Sequence, residues 1–298
     1  MVTRNRYTYE DREVATYSGS MVRILQALGH EVVDSPKNLS ANYDGIDLVL
    51  DIDCGRNPAG ELIWQAQNGR LPVPSAVMFI DSHGYPSMHK RLAVDYDFVF
   101  FAVHDKRDLF ARHPSAHWCP NFSDQRWFDG TVFPGAEYGG CPWFHFGFFG
   151  SKGGLSRAEP MKEIAQRKHW KADVRQVSVH QKHQWPSTAK AMSVCKNLFN
   201  HGQKHDGPNL RVMESMLMKR PLISDSDPRS GMDLLFEPWV HYIPYEAYTY
   251  DGLEEAMAWA LAHPVGAGAI ANAAYEEVRD KHLVANRIIQ IMEVVENG

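Results

Sequence analysis

Several things are scarce in this 298-residue chain, and each scarcity excludes a class of protein. Cysteine occurs only four times, at 54, 119, 141 and 195, without a C-x-x-C pair. That excludes a dense disulfide framework and fits reduced thiols in the cytosol. No run approaches the roughly 18 apolar residues that a membrane span needs. The opening stretch MVTRNRYTYEDRE is charged and carries no apolar signal core. The expectation is therefore a soluble, cytoplasmic protein. Positive charge is not in excess either: the net charge is −5, which argues against a general nucleic-acid coat. There is no P-loop, no full G-x-G-x-x-G and no G-x-S-x-G elbow. Internal repeats and low-complexity tracts are absent too.

What is present is an ordinary globular composition, 44% apolar and 22% charged, with 8 Trp, 12 Tyr and 14 Phe. That length and apolar content suffice for two cores. The first half alternates strand-like and helix-like segments. Arg6–Tyr9 reads as a first strand, and Ser18–Leu28 as a helix with Met21, Ile24, Leu25 and Leu28 on one face, ended by Gly29. IDLVLDI (46–52) and AVMFI (76–80) are apolar enough for strands buried on both faces. Leu62–Gln67 reads as a helix, Asp97–Ala102 as a strand and Lys106–Arg112 as a helix. Between Asn121 and Trp143 the period fails among six Gly and Pro residues, so this stretch is taken as an interdomain linker.

The alternation then restarts. Strands are expected at Phe144–Phe149, Asp173–Val179, Lys196–Asn200, Pro221–Ser224 and His241–Ile243. Helices are expected at Arg157–Arg167, Ser187–Val194 and Asn209–Met218, and through the last ~45 residues by period and composition. Repeated β-α units predict an α/β protein of two Rossmann-like, doubly wound domains, with ligand at the carboxyl ends of the strands and in the cleft between domains. The boundaries are 1–143 and 144–283.

Three segments carry candidate chemistry. In HGQKHDGPNLRVME (201–214) a strand ends, a Gly-containing loop follows, and a helix opens near Pro208 with Asp206 or Gly207 as its cap. The amides of Asn209 and Leu210 then offer an anion site suited to a diphosphate. Arg211 and Glu214 are three apart and share a face; the arginine suits a phosphate and the carboxylate suits ribose hydroxyls. His201, at the head of the segment, joins the donor-binding set. The same residues also read as a capped helix with an i,i+3 ion pair. In FFGSKGGLSR (148–157) a Gly-rich turn lets backbone at Gly150, Ser151 and Lys152 approach a phosphate, with Lys152 and Arg157 supplying charge. A plain connection explains it equally. In IDSHG (80–84), Asp81 and His83 stand where a cleft loop would be, as acceptor ligands or a base; a helix cap and a solvated histidine explain them as well. Asp51-Ile-Asp53 and Asp225-Ser-Asp227 have the D-x-D form of a metal–nucleotide site but read as strand-end and loop carboxylates, and His180-x-x-His183 and His201-x₃-His205 are set aside as zinc sites because further ligands are not evident.

These blocks resemble a known family. NLRVMESMLMKRPLISD (209–225) is similar to the donor-site block of GT-B glycosyltransferases, most of all the CgeB-like spore-maturation branch that also occurs in phages. PSAVMFIDSH (74–83), DYDFVFFAVHD (95–105) with AHWCPN (116–121), FGFFGS (146–151) and KHLVANRI (281–288) fit the same branch in the same order. The resemblance implies a GT-B fold and sugar transfer from a nucleoside diphosphate sugar, a UDP-sugar foremost, with retention. It implies no cofactor and no metal. The related retaining family carries E-x₇-E here; this chain has Asp206 and Glu214, so Glu214 is the implied ribose ligand and Asp206 the implied sugar contact. Asp81, His83 and Asp206 make up the catalytic set. The resemblance also implies a final helix, 284–298, that crosses back onto the first domain. The acceptor is open: glycan, small molecule, protein or hydroxymethylated DNA. A nucleotide-sugar-binding partner without activity is the further alternative.

Overall fold

The computed structural model describes residues 2–4, 17–34, 45–53, 72–80, 86–132, 143–150, 152–177, 184–202, 208–247 and 249–298. The expected strand Arg6–Tyr9 and helix Leu62–Gln67 lie outside these residues, as do Asp81, His83, Ser151 and Asp206. The chain forms two units, residues 1–121 with 284–298, and residues 122–283.

The first unit holds six parallel strands in the order β2-β1-β3-β4-β5-β6. They are β1 (Val2–Arg4), β2 (Val33–Asp34), β3 (Val49–Asp53), β4 (Ser75–Phe79), β5 (Phe98–Phe101) and β6 (Ala116–Trp118). Every residue of β4 and β5 is buried, as continuous apolar runs require in a sheet covered on both faces. Helix α1 (Tyr17–Ala27) and helix α2 (Pro86–Ala93) belong to this unit. Phe79 stacks on Phe110 at 5.5 Å, and Leu92, Tyr96 and Phe101 close the same cluster. The helix expected at Lys106–Arg112 is instead a 3₁₀ segment, His104–Leu109. Its sequence, HDKRDL, has no apolar stripe to hold a longer α-helix, and i−3 bonds such as Phe110 N–H to Arg107 O tighten the turn.

Helix α9 (Val284–Asn297) returns to this first unit. Ile288 and Ile291 are buried. Arg287 Nε donates to Pro120 O at 2.8 Å and Gln290 to Trp118 O at 2.9 Å, so the last helix is tied to the end of β6.

The second unit begins at Phe122, earlier than the expected 144. The Gly- and Pro-rich stretch conceals two large side chains, Phe122 and Phe128, that are almost wholly buried. Ser123 N–H donates to His282 O at 3.2 Å, and Gly130 N–H to Leu217 O at 2.8 Å. Burial of these rings outweighs the breaker signal of the glycines, so residues 122–132 pack as part of the second unit.

Five parallel strands follow in the order β11-β10-β9-β7-β8: β7 (Phe144–Gly150), β8 (Ala172–Gln176), β9 (Cys195–Asn200), β10 (Leu222–Ser226) and β11 (Ile243–Glu246). A 3₁₀ turn, Lys152–Ala158, leads into α3 (Glu159–Arg167), so Arg157 precedes the α-helix that was expected to start there. The other helices are α4 (Gln184–Ser193), α5 (Leu210–Leu217), α6 (Met232–Leu235), α7 (Leu253–Ala262) and α8 (Pro264–Lys281). Phe146, Phe148, Phe199, Ile223, Ile243 and Met257 form the core on one face of this sheet.

Cys119 and Cys195 are buried free thiols, each pushed up to about 12 chiefly by burial. At that value the thiolate is negligible near neutral pH. Iodoacetamide should leave both unmodified in the folded protein and label both in denaturant, read by peptide mass spectrometry; labelling under native conditions would contradict the packing described.

Candidate functional site

Strand order decides where a ligand can sit in the second unit. The chain winds outward in opposite senses from β7 and β9, so the crossovers diverge there and leave a crevice outside the carboxyl ends of those strands. β7 ends at Gly150, and β9 ends at Asn200, followed by His201 and Gly202.

The entry into α5 is built by two asparagines. Asn209 is the helix cap, with extended backbone, and its side-chain oxygen accepts from Arg211 N–H at 2.9 Å. Its Nδ2 donates to Asn200 Oδ1 at 3.0 Å, which pins the helix start to the end of β9. The cap is therefore Asn209, and the expected capping by Asp206 or Gly207 with a helix from Pro208 is corrected. Asparagine can accept from the helix and donate to the strand at once, a pair of jobs that a carboxylate cannot do. Leu210 supplies the first amide of the helix, while the next two, at Arg211 and Val212, close on Asn209.

Arg211 pairs with Glu214 one turn on, as their spacing predicts. The Glu214 side chain is only 2% exposed and that of Arg211 14%. Burial raises the Glu214 carboxyl to about 7, against the pull of the Arg211 guanidinium. Arg157 reaches across from the 3₁₀ turn, and its guanidinium donates to His201 O at 2.9 Å. Only the backbone of Lys152 is described, in the same turn.

A polar chain runs along the strand ends. Asn200 Nδ2 donates to Ser224 Oγ at 3.1 Å, and Ser224 donates to Asp225 Oδ1 at 3.3 Å. Gly202 N–H also donates to Asp225 Oδ1, at 2.8 Å. A Cβ on Gly202 would lie 2.9 Å from Asp225 Oδ2, so a larger residue here would push that carboxylate aside. His201 is buried against the same carboxylate, with Nδ1 3.8 Å from Asp225 Oδ2 and 2.7 Å from Tyr245 Oη. Its Nε2 lies 3.2 Å from Tyr250 Oη, and its ring stacks on that of Tyr250 at 4.7 Å. Burial lowers the His201 pKa; Asp225 opposes that and Arg157 adds to it.

The fold thus gathers Gly150, Arg157, His201, Asn209, Leu210, Arg211 and Glu214 at one end of the second sheet. Asp225, Tyr245 and Tyr250 stand there too, and no sequence motif marks them as part of the site. Asp225 belongs to the D-x-D pattern set aside above, yet it stands next to last in the strand LISDS, beside the end of β9 that leads into His201. Asp227 serves a local turn by accepting from Arg229 N–H at 3.0 Å. In the first unit, Asp51 is buried and accepts from the Tyr96 hydroxyl. Among the described residues no three His, Cys, Asp or Glu side chains are placed to hold a metal, and no helix is long and apolar enough to cross a membrane.

Two parallel doubly wound sheets with this site define the class: the structure has the GT-B fold of glycosyltransferases. It is similar to a sucrose-phosphate synthase from Thermosynechococcus elongatus, at 12% identity and a TM-score of 0.61, covering 98% of this chain and 80% of that one. It is similar to HepE from Anabaena in complex with UDP and glucose, at 11% identity and a TM-score of 0.58, covering 93% and 89%. A glycosyltransferase from Rickettsia africae ESF-5 matches at 10% identity and a TM-score of 0.55, covering 93% and 87%. A comparison with curated proteins finds no match. The profile of the glycosyl transferase-like family matches residues 140–293, more than half of the chain, and the chain belongs to that family.

Proposed function

We propose that the protein transfers a sugar, with retention, from a nucleoside diphosphate sugar to a hydroxyl acceptor, in the manner of the CgeB-like branch. UDP-sugars are the favoured donors, since HepE is known with UDP-glucose and with UDP and glucose on the same fold. The single observation that carries the reading is the start of α5, where a capped helix end, Arg211 and buried Glu214 meet the end of β9. The diphosphate rests at the Leu210 amide, and Glu214 accepts from the ribose hydroxyls. As the sugar leaves, negative charge grows on the phosphate. Arg157 and Arg211 stabilise it from positions set before the reaction, which is electrostatic catalysis, and Lys152 adds its charge. These cations take the place of a metal ion. Asp206, Asp81 and His83 serve the sugar and the acceptor side.

A thermal-shift panel of nucleotide sugars and free nucleotides tests this. A UDP-sugar at a hundredfold excess over Kd adds about 2.7 kcal/mol to the folded state, and the rise in melting temperature should persist in EDTA. A flat response to every nucleotide overturns the proposal.

A further inference from the structure

We infer that Tyr250 is a switched ligand of the donor diphosphate: its hydroxyl, turned inward on His201, is released toward a phosphate oxygen when His201 takes up a proton. The inference rests on the donor-site reading above and adds to it a residue and a proton.

The hydrogens around His201 can be counted. Tyr245 Oη donates its single hydrogen to Asn200 O at 3.1 Å. Tyr245 Oη is also 2.7 Å from His201 Nδ1, and the arrangement that satisfies Asn200 O as well has this oxygen accept from the ring, with the hydrogen on Nδ1. The carboxylate of Asp225, 3.8 Å from that nitrogen, favours the same assignment. Nε2 is then bare and accepts the hydrogen of Tyr250 at 3.2 Å. In this arrangement every hydrogen is used and Tyr250 has none to offer a ligand.

One proton from solvent changes this. Placed on Nε2, it donates to Tyr250 Oη, and the phenol hydrogen is freed for an outside acceptor. No heavy atom has to move, and Asp225 already stands where it stabilises the imidazolium. Tyr250 is half-buried at the carboxyl end of β11, on the sheet end that carries Arg157 and the β9 loop. Its backbone is held at φ 61, a left-handed conformation that costs a non-glycine residue free energy and marks it as an outlier.

The groups facing His201 among the described residues are Asp225 from β10, Tyr245 from β11, Tyr250 from the following loop and Arg157 from the 3₁₀ turn. Lys204, His205 and Asp206 lie outside the described residues. Burial keeps the ring below its ordinary range, with Asp225 in opposition. An arriving diphosphate raises it, so donor binding and proton uptake are linked. Because the bound-state pKa is the higher one, affinity increases as pH falls through the window between the free and bound values.

UDP-glucose is the probe, since its phosphates do not titrate near neutral pH. Calorimetry at about pH 7 in two buffers of different ionisation enthalpy gives the protons taken up on binding. The native chain should take up a substantial fraction of a proton more than His201→Gln; any contribution of Glu214 is common to both proteins and cancels. Tyr250→Phe should bind about tenfold more weakly. In the native chain, ¹⁵N spectra of His201 should show Nε2 bare without ligand and protonated with it, a readout that stands even where a variant fails to fold. Equal proton counts in the native and His201→Gln proteins, or Nε2 bare in the complex, overturn the switch and leave the donor site standing. Failure of every nucleotide sugar to bind overturns both.

Discussion

Replacing Glu214 by glutamine should weaken UDP binding about a hundredfold while the protein stays folded. Glu214 is buried in the second turn of α5 and touches Arg211. A carboxylate can accept from both ribose hydroxyls, whereas the glutamine amide offers one acceptor oxygen and turns an N–H toward a group that wants to donate. Hydrogen bonds to charged groups are worth about 1.5–3 kcal/mol, and about 1.4 kcal/mol is tenfold in affinity. Glutamine keeps the size of the side chain and its oxygen still accepts from Arg211, so the loss should fall on the ligand rather than the fold. The pH behaviour separates the two. Burial raises this carboxyl from 4.5 in the unfolded chain to about 7 in the folded one. Between those values the folded state holds a proton that the unfolded state has released, so stability declines as pH rises through the window. Glutamine does not titrate. The stability of the variant relative to the native protein should therefore improve from about pH 5 to about pH 8. Calorimetry with UDP and urea unfolding at both pH values give the two answers. Unchanged UDP affinity removes Glu214 from the site.

The second large effect is expected at a glycine that looks like part of a linker. A Cβ on Gly130 would lie 2.3 Å from Met218 O and 2.6 Å from Lys219 Cβ. Two of the three nearest atoms are backbone, which cannot rotate aside. Gly130 N–H also donates to Leu217 O at 2.8 Å, satisfying a carbonyl that the end of α5 leaves without an intrahelical partner. Gly130→Ala should therefore both overpack the contact and lengthen this bond, at about 3 kcal/mol. For a unit of this size that lowers the melting temperature by on the order of 10 °C. Because the strained contact is at the far end of α5, the change should also loosen the helix at whose start the donor site is proposed. A melting temperature within about 2 °C of the native protein would mean that residues 122–132 do not pack as described.

The strands were legible where they are buried on both faces. AVMF (76–79) and FVFF (98–101) are uniform apolar runs, and such runs leave little choice of element. The helix expected at Lys106–Arg112 is a 3₁₀ segment starting two residues earlier, because a charged stretch beside one aromatic residue carries almost no periodic signal. Ala116–Trp118 carries no strand signal because three residues cannot show a period, and only pairing with β5 defines it. Arg211 and Glu214 were legible because an i,i+3 pair is local geometry. Tyr250 gave no signal, since it meets His201 from 49 residues away.

The amino-acid sequence alone determined that two β-α halves would form, that each would carry a parallel sheet, and that Arg211 and Glu214 would share a face near a helix start. All three follow from periods and short spacings that a segment expresses wherever it is placed. Tertiary structure alone decided that the second unit begins at Phe122, that Asn209 caps α5, and that Asp225, Tyr245 and Tyr250 enclose His201. Each of those depends on which strand ends are neighbours or on which rings find a core. Such contacts join residues distant in sequence, and strand order and burial select them rather than local preference.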